Sequence, residues 1–137
     1  MANEAVCIET PTRFARYTVG GAITKGTILY LSADPHTVAA SSAADQPFAG
    51  IAWEEVTAAE YALGKTEVVA ALDGVWDIKA TAAANVLGEL VALGGANLIV
   101  TADAADILNG AIIGYLEETQ DASEVCRVRL TKFGSSG

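Results

Sequence analysis

Short apolar runs separated by turn residues follow one another along the whole chain. The runs are rich in Val, Ile, Leu and aromatic residues, and Gly, Pro, Asn or Asp close most of them, which is typical of β-strands. Two Ala-rich stretches favour short helices instead, at 56–64 and 103–108, and the further Ala-rich bridge at 79–84 is expected to form another helical turn. The pattern predicts about ten strands. They are placed at 5–9, 14–19, 25–31, 36–40, 48–55, 66–72, 75–78, 86–93, 97–101, 112–117 and 125–133.

This spacing predicts the fold class. Many short strands without a long helix indicate an all-β protein, a small single-domain β-barrel, β-tulip-like or sandwich fold with one or two short helical turns. At 137 residues the chain is long enough for one domain. We expect an N-terminal arm with the first short strand over 1–16, a β-barrel domain over 17–133 and a flexible tail over 134–137.

The stretch 48–78 is predicted to form the middle of a single β-core, and it contains both tryptophans. Within it, Asp73-Gly74 lies between apolar residues. Because both central residues of a type I′ turn need φ > 0, an Asp-Gly pair in this setting predicts a hairpin.

A faint internal repeat links the two halves of the chain. Two such units could close one barrel about a pseudo-twofold axis, and the alternative is that Gly-x-apolar runs align by chance. The runs that begin at Gly26, Gly50 and Glu67 resemble those that begin at Gly88, Gly114 and Glu124.

Net charge narrows the choice of partners. A charge of −9 disfavours nucleic acid and anionic membranes, which both attract basic proteins. Four arginines lie near the chain ends, and if the terminal strands lie together, one face becomes basic and suits an acidic protein surface. The alternative is cross-strand pairing with acidic residues. The candidate docking residues are Arg13, Arg16, Arg127 and Arg129.

The sequence lacks the residues of a catalytic site. His36 is the sole histidine and follows Pro35 in a polar loop, where a solvated turn residue is expected. No Cys/His spacing suits zinc. We therefore expect no enzymatic activity, no catalytic or metal-binding residues and no cofactor. Adjacent acidic residues on a strand point to opposite faces, so they are expected to be solvated strand ends. These pairs are Glu54/Glu55 and Glu117/Glu118.

Cys7 and Cys126 lie near opposite ends of the chain. We expect two reduced thiols, although they could pair if the first and last strands were neighbours. No apolar run is long enough to span a bilayer, and the N-terminus lacks the basic start and apolar segment of a signal peptide. The chain is therefore expected to be made in a cytoplasm.

The order of these runs resembles the decoration proteins of tailed-phage capsids, also called head-stabilising or cement proteins. The resemblance covers about residues 10–130 and rests on a pattern of glycines and β-runs. After Arg13 and Arg16, the matching segments are KGTIL (25–29), FAGIA (48–52), GVW (74–76), GELV (88–91) and IGYL (113–116).

The resemblance implies a structural virion protein. Such a protein binds the major capsid protein outside an expanded icosahedral shell, as trimers at threefold or quasi-threefold positions, after assembly in the host cytoplasm. An arm over residues 2–16 would reach onto the shell. The alternative is a non-catalytic carbohydrate-binding β-module, and burial of both tryptophans would count against it. The aromatic residues that could stack on sugars are Tyr30, Trp53, Tyr61, Trp76 and Tyr115.

Overall fold

The computed structural model describes residues 4–44, 46–80, 88–118 and 125–130, and within them most of the regular secondary structure is β-strand. This confirms the predicted all-β class. The elements are β1 (Val6–Glu9), β2 (Phe14–Val19), β3 (Ile28–Ala33), β4 (Thr37–Ala40), β5 (Phe48–Ala52), α1 (Ala58–Ala62), β6 (Glu67–Ala71), β7 (Val75–Ala80), β8 (Leu90–Gly95), β9 (Leu98–Thr101), α2 (Ala104–Asn109), β10 (Ile112–Leu116) and β11 (Val125–Leu130).

The strands form two closed barrels of the same topology. The first barrel has the order β2-β4-β3-β5-β6, and the second has the order β7-β9-β8-β10-β11, closed by β7 against β11. In each barrel the first and third strands in the chain pair in parallel, and the other pairs are antiparallel. Strand β1 adds to β7 outside the ring of the second barrel.

The internal repeat is therefore real, but each unit closes its own barrel, and the expectation of one barrel made from two halves is wrong. The registers match strand by strand. Leu29 pairs with Gly50 and Ala40 in the way that Val91 pairs with Gly114 and Thr101. In both barrels the pairing register skips one residue of the fourth strand, β5 or β10, next to these glycines.

The last strands of the two barrels, β6 and β11, correspond with an offset of one residue from the match seen in the sequence. Thr18 pairs with Glu67 as Lys79 pairs with Val125. Glu67 therefore corresponds to Val125 rather than to Glu124. The longer connection in the first barrel contains α1, which has no described counterpart between β10 and β11.

Asp73-Gly74 joins the two barrels and forms no hairpin. Strand β6 pairs with β2 and β5, whereas β7 pairs with β1, β9 and β11. Gly74 has φ = +96°, and Asp73 is not in the positive-φ region that a type I′ turn requires. The Asp73 carboxylate instead accepts hydrogen bonds from the N–H and hydroxyl of Thr12, both at 2.7 Å. The Asp-Gly pair thus lies where the chain changes direction between the two barrels.

Two large cores support the barrels instead of the single β-core expected, and Ala92, Ala111 and Ile112 form a small third cluster. One lies inside the first barrel and contains Val19, Leu29, Val38 and Val68. The other fills the second barrel and continues onto the outer side of the first, and its members there are Ile28, Phe48, Ile51 and Ala71. Because Leu29 faces the first core, the neighbouring Ile28 points outward. The second barrel therefore packs on the side of the first.

Both predicted helices are confirmed, and each begins with a capping box. Thr57 and Glu60 exchange side chain-to-backbone hydrogen bonds at α1, and Asp103 and Asp106 do so at α2. None of the helices in the described part of the chain has the length and apolar content to cross a bilayer. The helical turn expected at 79–84 is wrong at its start, because β7 extends to Ala80, and the remainder of that stretch lies outside the described residues.

The chain ends are only partly described. The predicted arm over 1–16 contains β1 and the start of β2, and the predicted tail over 134–137 lies outside the described residues. Strand β7 lies between β1 and β11, so the first and last strands are not neighbours. Cys7 and Cys126 are accordingly not joined in a disulfide.

Candidate docking surface

Strand β11 carries two of the candidate arginines on its outer face. Cys126, Val128 and Leu130 face the core of the second barrel. Arg127 and Arg129 alternate with them and point to solvent, as a period of two requires. The two-sided pattern in the sequence thus places these arginines correctly.

Both arginines are engaged by carboxylates of neighbouring strands. Arg129 lies between Glu117, at 2.8 Å, and Glu9, at 3.4 Å. The hydrogen bond to Glu117 raises the pKa of the Arg129 guanidinium, against a smaller opposing effect of desolvation. Arg127 lies 3.4 Å from Asp77. The face is therefore a mixed network of charge and not a bare basic patch.

The other two arginines lie on or beside β2 of the first barrel. The Arg16 guanidinium is 3.9 Å from Glu67, and both side chains are more than half exposed. The N–H of Arg13 donates to Asp73 at 3.1 Å. Burial acts to raise the pKa of the Asp73 carboxyl, but the hydrogen bonds from Thr12 and Arg13 outweigh it and lower that pKa. Asp73 thereby links the start of β2 to the crossover between barrels.

The structure thus divides the four candidates between the barrels, Arg13 and Arg16 on the first and Arg127 and Arg129 on the second. Cross-strand pairing, one of the two interpretations of their charge, is what the structure shows for Arg16, Arg127 and Arg129. Exposed pairs of this kind contribute little stability, because solvent and salt screen them. The docking role of the four residues stays a prediction.

An open depression lies beside the β11 network on the second barrel. Its volume is about 440 Å³. One wall is charged and the other contains an aromatic ring. The residues that line it are Glu9, Gly88, Tyr115, Leu116, Glu117 and Arg127.

Sequence reasoning missed the structural role of two glutamates. Glu54 accepts a hydrogen bond from the N–H of Val69 at 3.2 Å, and Glu118 accepts one from the N–H of Arg127 at 3.0 Å. The two carboxylates occupy corresponding places, each just after the fourth strand of its barrel. Each carboxylate takes the place of a backbone acceptor for the last strand of its barrel, so neither is merely a solvated strand end. The internal repeat, which aligns the two acidic pairs, was the signal that could have found them.

Asn97 was also missed. It is buried at the turn between β8 and β9, with φ = +57°. Its Oδ1 accepts from the N–H of Ile28 at 2.9 Å, and its own N–H donates to Ser41 Oγ at 3.0 Å. A side chain that pairs with a backbone group 69 residues away leaves no local pattern in the sequence.

The aromatic residues form no open row. Trp76 is 1% exposed, and its Nε1 donates to the carbonyl of Asp73 at 3.1 Å. Trp53 is half-buried, with its ring centroid 6.1 Å from that of Trp76 and 5.6 Å from that of Phe14. Lys25 Nζ lies 5.2 Å from the Trp53 ring. Trp76 is therefore unavailable to stack on a sugar, whereas Trp53 is only partly covered.

The groups needed for a metal site do not come together in the described residues. Across 4–44, 46–80, 88–118 and 125–130, no three His, Cys, Asp or Glu side chains lie close enough to hold an ion.

Comparison with known proteins identifies the fold. No protein-family model matches the chain, and no curated protein matches it. A solved structure does, the crystal structure of the head fiber gp8.5 N base in bacteriophage phi29. The TM-score is 0.52 at 14% identity, over 88% of this chain and 94% of that chain. The chain has the fold of the base of a phage head fibre. A match over 88% of the chain extends beyond either barrel alone. The resemblance to phage head-associated proteins is thus confirmed at the level of the fold.

Proposed function

We propose that this chain is a structural protein of a phage head, which binds the outside of the expanded icosahedral capsid and stabilises it. The observation that carries the proposal is the fold shared with a head fiber base over nearly the full length of both chains. The proposed partner is the major capsid protein, and the proposed place is the capsid exterior, reached after assembly in the host cytoplasm. The protein has no enzymatic activity in this proposal.

The mechanism is thermodynamic. A protein that binds the expanded shell and not the unexpanded one stabilises the expanded shell by mass action. Trimers at threefold or quasi-threefold positions would contact several capsid subunits at once, and linked contacts add through effective concentration. Modest contacts of each copy are then sufficient.

The arginines on β2 and β11 are the proposed contacts. The chain carries a net charge of −9, so an acidic capsid surface would repel most of it. Arg16 and Arg127 remain partly exposed beside their carboxylates, and a capsid carboxylate could share them. Complementary charge of this kind sets orientation and association rate more than affinity.

Co-sedimentation with matching capsids, before and after expansion, tests the proposal. We expect saturable binding to expanded shells and a raised melting temperature of the shells that carry the protein. Deleting residues 2–16 is a poor test of docking, because it removes β1 and half of β2. Two double variants replace it, Arg13→Ala/Arg16→Ala and Arg127→Ala/Arg129→Ala, with Lys25→Ala/Lys65→Ala as a charge-matched control.

Replacing a docking arginine pair with alanine should weaken shell binding about tenfold. The lysine control should bind as the unchanged protein does. If both arginine variants bind normally, the role stands and the docking surface lies elsewhere. Absence of binding to either shell would overturn the proposed function.

A further inference from the structure

The contact between the barrels joins one side of the first barrel to one end of the second. On the side, Ile28 and Ile51 form a cross-strand pair and are fully buried. On the end, Asn97 turns the chain between β8 and β9 and bonds to the N–H of Ile28. Leu93, beside this turn, belongs to the same core as Ile28 and Ile51.

The second barrel has the same side, but it is open. Leu90 pairs with Tyr115 as Ile28 pairs with Ile51, which puts both side chains on one outer face. Leu90 is 36% exposed, against 0% for Ile28. We call Leu90, Tyr115 and Gly88 the free side, and it includes part of the depression on the second barrel.

A pair of glycines shows the same difference. Gly26 and Gly88 precede β3 and β8 by two residues and have φ of +88° and +87°. A Cβ on Gly26 would lie 2.7 Å from the carbonyl oxygen of Ala5, which covers it. A Cβ on Gly88 would meet no atom of the described residues within 4 Å. The backbone is shaped alike in both barrels, but among the described residues only the glycine of the first barrel is covered by another segment, the one at Ala5.

The first barrel has the matching end, and it is open too. Leu31 corresponds to Leu93, because Leu31 pairs with Val38 as Leu93 pairs with Ile99. Leu31 is 39% exposed and Leu93 is 0%. His36, at the turn after β3, has φ = +47° where Asn97 has +57°, and it is exposed. We call Leu31 and His36 the free end.

From these pairs we propose that a second copy of the chain docks its free end on the free side, repeating between chains the contact made within the chain. The contact is heterologous, since the two surfaces differ. It continues an interface that the protein already builds, and it covers two apolar side chains that otherwise face water. Charge makes it weaker than the internal contact, because Glu117 and Arg129 stand where the first barrel has Trp53 and Ala71.

Sedimentation of the purified chain tests this without any capsid. We expect the unchanged chain to self-associate as its concentration is raised to about 1 mM. The Leu90→Arg and Leu31→Arg variants should each lose this self-association. Leu108→Arg is the matched control, since Leu108 is 87% exposed on α2. It should associate as the unchanged chain does, and circular dichroism confirms that each variant folds.

Mixing the two variants separates this contact from any symmetric one. Leu90→Arg keeps its free end and Leu31→Arg keeps its free side, so the mixture should form a 1:1 pair that stops there. A symmetric contact through either surface alone would not be restored by mixing.

Three results would overturn the inference: a chain that stays monomeric to about 1 mM, association that survives both arginine substitutions, or a mixture that stays monomeric. The free side lies beside Arg127 and Arg129, two proposed capsid contacts, but self-association and capsid binding are measured separately. A chain that associates in this way and binds no capsid upholds the contact and rejects the capsid role. A chain that binds capsids but never self-associates does the reverse.

Discussion

The two barrels have the same backbone and different surroundings. Their strand orders, registers and skipped residues coincide. Even the hydrogen bonds at the strand ends repeat, since Gly26 donates to Ala52 as Gly88 donates to Leu116, each at 2.9 Å. The outer side of the first barrel is apolar and buried, whereas that of the second carries Arg129 and Glu117 and meets solvent.

The difference separates what closes a barrel from what a barrel binds. Closure needs glycines where strands approach closely and carboxylates that complete the ladder, and both barrels have them at matching positions. The outward side chains do not affect closure. The first barrel can therefore pack on the second through apolar residues, while the second carries charged residues on the corresponding side.

Close strand approach should make two glycines indispensable. A Cβ on Gly114 would overlap the carbonyl oxygen of Arg129, and one on Gly50 would lie 2.8 Å from that of Ala71. Alanine at either position should lower the free energy of unfolding by about 3 kcal/mol or more, because backbone atoms must shift. Denaturant titration measures the loss.

Gly20→Ala is the control for this pair. A Cβ there would meet no described atom within 4 Å, and its φ is not in the positive region. Its effect should stay within about 0.5 kcal/mol. If Gly114→Ala lowered the free energy of unfolding as little as this control does, closure of the second barrel would not require a glycine at this position.

The corresponding turn residues should differ in cost. Asn97→Gly keeps the left-handed backbone accessible but leaves the buried N–H of Ile28 without its 2.9 Å partner. An unsatisfied buried donor costs about 1–3 kcal/mol, so we expect about 2 kcal/mol of destabilisation. His36→Gly, at the exposed counterpart, should be near neutral at low protein concentration. Equal effects at the two turns would show that the covered side of the first barrel has no special role.

Much of this fold could be predicted because its signals are local. Apolar runs and turn residues placed each described strand to within a few residues, and both short helices were found from alanine content and their stops. The repeat was visible because its glycines are fixed by backbone geometry. The Asp73-Gly74 prediction was wrong because the Asp73 carboxylate binds Thr12 and Arg13, far away in the sequence, and Asp73 does not take the positive φ of a type I′ turn.

The candidate site could be predicted only in part. Alternation along β11 placed Arg127 and Arg129 on the surface. Their partners could not be found, because the contact between Arg129 and Glu9 joins residues 120 positions apart and depends on the register of three strands. Sequence charge thus indicated where the arginines lie and not that carboxylates engage them.

The smallest expected effects concern the carboxylates that both barrels share. Glu54 and Glu118 accept the N–H of Val69 and of Arg127 from the last strand of each barrel. Alanine at either position should cost about 1 kcal/mol, the net value of one such hydrogen bond at a partly exposed site. Glu55→Ala is the control, because Glu55 is exposed and contributes only its backbone carbonyl to Lys65. Similar losses at 54 and 118, with none at 55, would establish that these carboxylates belong to the repeated unit. A loss at Glu118 alone would instead tie that residue to the charged face of the second barrel, where Arg127 is also held by Asp77.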